Sequence, residues 1–145
     1  EKDTLISYFD SNTLVVGPVL PGHLFNDGIN KLTGRTCPWN TCAIWDLNKL
    51  RLFGFPLIGD GVGKDIPGGV EEVSAIAFAQ LINTNWEAKL IKLNNSIDWE
   101  TEFQDEERKK WHEQKMASKD TRPAAQMAVL GNSIPEGRVH HIISS

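Results

Sequence analysis

The residues best suited to chemistry lie between Asn40 and Gln80. Glu71 and Glu72 stand side by side after Gly68-Gly69-Val70. A carboxylate at a helix start, facing a cleft, can take a proton from a hydroxyl. The same position suits a structural role, because the helix dipole favours negative charge in the first turn. Consecutive helical residues do not share a face. One glutamate could therefore act while the other points elsewhere. Upstream, Asn40, Thr41 and Trp45 offer an amide, a hydroxyl and an aromatic ring. Trp39 and Trp45 are aromatic rings of the kind that pack in a core. Arg35 flanks this stretch and suits an anionic ligand or a neighbouring carboxylate. Gly68 and Gly69 would let backbone approach a ligand closely.

The other candidates are histidines and cysteines. His140 and His141 fall on an expected strand, where neighbours point to opposite faces. At most one of them can ligate a given metal ion. His23 lies on a loop, as a solvated residue or a ligand-binding one. Cys37 and Cys42 are too far apart for a CxxC redox or zinc motif. They read as reduced thiols near a turn, or as a disulfide closing residues 38–41 in an oxidising compartment. Asn94-Asn95-Ser96 is a glycosylation sequon, a tripeptide frequent by chance.

These residues need elements to hold them. Leu14 to Leu20 is a β-branched apolar run stopped by Gly17 and Pro18, which reads as a buried strand. Residues 26–38 are polar and turn-rich. Cys42 to Trp45 is expected as a second buried strand, and Asp46 as the N-cap of a short helix. Leu47, Leu50 and Phe53 would share one face of that helix, and Gly54 would end it. Residues 58–69 hold no period and five of the 12 glycines. A loop this long inside a domain is a flexible connection or a mobile lid. Val70, Val73, Ile76, Ala77 and Leu81 repeat at helical spacing, so a helix with one buried stripe is expected over 70–83. Residues 86–93 read as a strand. Polar helices follow over 99–117 and 124–130, and a short last strand over 137–142.

At 145 residues the chain is a single domain or a fragment of one. Its 40% apolar and 23% charged residues are ordinary for a soluble globule. A net charge of −4 excludes a broad nucleic-acid footprint. No apolar run approaches the roughly 18 residues of a membrane span. Glu1-Lys2-Asp3-Thr4 is not a signal peptide.

The order of strand, "NTCAIWDLNKL", "GF", glycine loop and "GGVEEV" resembles the C-terminal half of GT-A glycosyltransferases. The "VVGPVL" of residues 15–20 is similar to the strand after their donor-binding region. The resemblance covers residues 12–93, with 98–145 as a helical extension. It implies an α/β fold, a partial GT-A-like mixed sheet with flanking helices. It also implies transfer of a sugar from a nucleotide-sugar donor to a hydroxyl acceptor, with Glu71 or Glu72 as base. Arg35, Trp39, Asn40, Thr41, Trp45, Gly68 and Gly69 would contact substrate. A divalent cofactor, Mn or Mg, would neutralise the diphosphate, with His140 or His141 as a late ligand. A lone carboxylate base fits inverting chemistry best.

The chain departs from the family in two places. Asp3, Asp10, Asp27 and Asp60 form no Asp-x-Asp pair, and the acidic pair is Glu-Glu. The expectation is therefore an acceptor-side part, inactive alone. A non-enzymatic binding domain with a glycine-rich recognition loop is the alternative.

Overall fold

The computed structural model describes residues 2–54, 61–62, 66–67, 71–94 and 137–145. Its centre is a mixed five-stranded sheet in the order β2-β7-β6-β1-β3. The strands are β1 (Thr13–Pro18), β2 (Gly28–Lys31), β3 (Ile44–Trp45), β6 (Glu87–Lys92) and β7 (Arg138–Ile143). β1, β6 and β7 run parallel at the centre, and β2 and β3 add antiparallel edges. The α/β class expected from the sequence is the one found.

Both sheet faces are covered. Helix α3 (Glu71–Ile82) buries Val73, Ile76 and Ala77 against Leu14, Ala88, Leu90 and Val139. Each large apolar side chain removed from water in this way contributes roughly 1.5–3 kcal/mol. The opposite face packs Val16 and Ile91 under Leu5 of helix α1 (Lys2–Ile6), with Tyr8 and Phe9 beside them. Covering on both sides explains why β6 is buried from Ala88 to Ile91 without alternation. Lys89 is buried in this run, its amino group 2.8 Å from the Tyr8 carbonyl and 3.0 Å from Asp10 Oδ2. That bond to Lys89 is the main reason the Asp10 carboxyl titrates below its ordinary range.

Pro18 ends β1 without breaking the sheet. Val19 donates to the Ile91 carbonyl, so the amide missing from Pro18 faces the other side. There the pairing with β3 has already stopped at Val16 and Ile44. Gly17 has a separate reason. A Cβ placed on it would lie 2.9 Å from Pro38 Cβ and 3.0 Å from the Cys42 carbonyl. The 38–42 segment therefore crosses directly over β1. Gly17→Ala is expected to cost about 1–3 kcal/mol by overpacking, because ring and backbone atoms cannot swing aside. Equilibrium urea unfolding measures it, and a loss under about 0.5 kcal/mol would contradict the close crossing.

Several expectations need correction. Residues 40–42 form a 3₁₀ turn, leaving β3 two residues long and only half-buried. Helix α2 (Leu47–Leu50) is a single turn, and Leu47 is 73% exposed rather than core-facing. Leu81 lies on the outer side of α3. α1 and β2 arise where no period was visible. Within 58–69, Gly61–Val62 (β4) pairs with Ile66–Pro67 (β5) as a small antiparallel ladder. The expected helices over 99–117 and 124–130 lie outside the described residues.

Asp46 caps α2 as expected, its side chain accepting from the amides of Asn48 and Lys49. Lys49 adds a salt bridge at 2.6 Å and is the first cause of a lowered Asp46 pKa. Gly54 takes φ 65° and returns its amide to Leu50, the left-handed helix end that glycine accepts without strain.

Candidate functional site

Asn40 is the node that joins the two carboxylates. It opens the 3₁₀ turn that follows Trp39. Its backbone amide donates to Glu72 Oε1 at 2.6 Å. Its side-chain Nδ2 donates to Glu71 Oε1 at 3.0 Å, and its Oδ1 accepts from the Trp45 indole at 2.9 Å. The amide orientation follows from chemistry, since an indole can only donate and a carboxylate only accept. Four of the sequence-derived candidates, Asn40, Trp45, Glu71 and Glu72, thus form one hydrogen-bonded group.

The two glutamates differ in setting. Glu72 is 6% exposed and holds the turn from within. Glu71 and Trp45 are both half-buried and are joined through the Asn40 side chain. Thr41 is exposed on the same turn. The group also has a defined place in the sheet. Four residues separate α3 from β6, and Trp86 closes that turn onto the Asn83 carbonyl. α3 therefore runs back along β6, and its first turn lies toward the carboxyl ends of the parallel strands. Ligands of open α/β sheets bind at that end.

No family model, curated protein or solved structure matches this chain.

Other candidates are placed elsewhere. Trp39 is buried, with its indole donating to the Gly34 carbonyl at 2.7 Å, so it packs and offers no open platform. Arg35 turns its Nε onto the Gly22 carbonyl at 3.0 Å, which holds a loop together. His141 is fully buried and donates from Nε2 to the Thr36 carbonyl while Nδ1 accepts from the Asn26 amide. Both nitrogens are engaged, so His141 does not suit a metal. His140 faces the other side of the sheet, 3.7 Å from Glu87. Cys37 is buried and Cys42 exposed, and the two are not joined in a disulfide. Gly68 and Gly69 lie outside the described residues.

His23, expected as a solvated or ligand-binding loop residue, ties backbone segments together. Its ring stacks on Trp39 at 3.7 Å, accepts from the Leu20 amide and donates to the Cys37 carbonyl. Nothing in the local sequence marks it, because both partners are backbone atoms. Asn40, expected as a substrate contact, organises the carboxylates through its amide and side chain.

Proposed function

We propose that this chain forms the acceptor side of a sugar-transfer site, with Glu71 as the base and Glu72 as its support. The observation that carries this reading is the Asn40 node, which gives adjacent glutamates different work. Glu72 fixes the turn. Glu71 stands at the rim, joined through Asn40 to Trp45, whose ring offers a flat apolar surface to a pyranose. An acceptor hydroxyl would pass its proton to Glu71. The oxygen would then bond to the donor's anomeric carbon as the bond to the nucleotide diphosphate breaks. The leaving group takes that electron pair, and attack opposite to it inverts the centre. The divalent ion implied by the family resemblance is not assigned to His140 or His141, because one is buried in backbone bonds and the other points away.

The binding-domain reading draws on the same node, since Asn40 could serve only to pin the start of α3. Two measurements separate the readings. Transfer from a panel of nucleotide sugars is assayed on the chain and on the longest natural product containing it. Calorimetry with a nucleoside diphosphate and Mn²⁺ is run beside it. Transfer lost in Glu71→Gln supports the base. No heat and no transfer in either protein would leave the binding domain.

A further inference from the structure

Two histidines in this fold make the same unusual contact on adjacent carbonyls. His23 accepts from the Leu20 amide at 2.8 Å and donates to the Cys37 carbonyl at 2.8 Å. His141 accepts from the Asn26 amide at 3.1 Å and donates to the Thr36 carbonyl at 2.9 Å. In each ring Nδ1 is the acceptor and Nε2 carries the proton. Each histidine is therefore a staple between the 20–26 loop and the 36–37 backbone. Three residues further on stands Asn40, which binds Glu71 and Glu72.

We propose that these staples form an acid-sensitive latch, which releases the 20–26 loop and loosens the segment carrying Asn40. The chemistry is simple. An imidazolium has two donors and no acceptor. Protonation would point an N–H at the Leu20 or Asn26 amide, donor against donor, and break that half of the staple.

Among the described residues, the surroundings of His141 resist the added charge. His141 is buried against Phe25, stacked at 5.1 Å, and the Lys92 amino group stands over the same ring. His140 and Arg138 are its charged neighbours on β7, Lys31 lies on β2, and Lys89 on β6 is paired with Asp10. Arg35 belongs to the same turn as Thr36 and binds Gly22, next to His23. Asp27 is exposed, Glu87 faces His140, and the carboxylates of α3 are bound to Asn40. Burial holds the His141 pKa below its ordinary value, and the charge of His140 adds to this. A lowered histidine pKa means that the unfolded or opened chain binds the proton first. The His141 staple is then whole above the ordinary imidazole range of about 6.5 and weakens as pH falls below it.

The test is amide exchange on the intact chain between about pH 7.5 and 5, corrected for intrinsic rates. Protection at Leu20 and Asn26 is expected to fall by roughly tenfold or more, while Asp46 and Glu87 in the sheet change little. The variants His23→Gln and His141→Gln stay neutral throughout, and each is expected to flatten the response at its own staple. Uniform loss of protection across the sheet, or no change at Leu20 and Asn26, would overturn the latch. Should either variant fail to fold, the wild-type exchange profile with a direct titration of both imidazoles decides the matter. Neither readout involves sugar transfer, so the latch and the proposed activity stand or fall separately.

Discussion

Under the proposed function, Glu71→Gln should lower sugar transfer by about 10²–10⁴-fold, the usual worth of a positioned general base, and leave the fold in place. Glu72→Ala should act first on the fold, costing about 1.5–3 kcal/mol of stability through the lost bond to the Asn40 amide. The contrast rests on exposure. Glu72 is buried and bonds backbone at 2.6 Å, whereas Glu71 is half-buried and bonds the exposed side chain of Asn40. Removing a rim carboxylate forfeits a hydrogen bond that water can replace. Removing a buried one leaves a turn without its anchor. Urea unfolding of Glu71→Ala and Glu72→Ala checks the stability half of the prediction, independent of any substrate. Equal losses in the two variants would remove the division of roles. Full transfer in Glu71→Gln would remove the base.

That division was only half legible in the sequence. The adjacency of Glu71 and Glu72 at a helix start said that they must diverge. Which one would turn inward depended on Asn40, 31 residues upstream of Glu71 and brought over by the 38–42 crossing. The legible elements have strong local codes. β1 is an apolar run, β6 alternates polar and apolar residues, α3 has a helical repeat, and α2 has its Asp46 cap and Gly54 stop. The illegible ones depend on distant partners. β2 is an edge strand, with only alternate residues shielded, and its pairing partner β7 begins at Arg138. α1 is too short for a period and is fixed by burying Leu5 on Val16 and Ile91. Trp39 and Trp45 are equivalent in sequence. One donates to Gly34 in the core and the other to Asn40 at the rim.

Gln80→Leu is expected to cost about 3 kcal/mol, because three part-buried backbone groups would lose their partner at once. Gln80 is 4% exposed and stands two turns beyond Glu72 on α3. Its Nε2 donates to the carbonyls of Trp86 and Arg138 at 3.1 and 3.0 Å, and its Oε1 accepts from the Arg138 amide at 2.9 Å. One side chain thus joins the helix to the starts of both β6 and β7. Leucine has a similar volume but bonds none of these groups. Replacing one partner of a buried pair is the costly case, since the backbone groups stay behind unsatisfied. For a chain of this size the loss corresponds to roughly 6–12 °C in melting temperature. Faster exchange of the Arg138 amide should accompany it, and a change under about 0.5 kcal/mol would contradict the contact. The effect should also reach the site by a predictable route. α3 is held at one end by Gln80 and at the other by the Asn40–Glu72 bond, roughly 12 Å apart at the helical rise. Loosening the Gln80 end leaves the Asn40 node bonded, so binding at Trp45 should survive in Gln80→Leu at temperatures where the protein remains folded. Loosening the Glu72 end frees the turn that presents Asn40 itself. Glu72→Ala should therefore weaken any ligand held beside Trp45 even where its stability loss is the smaller of the two.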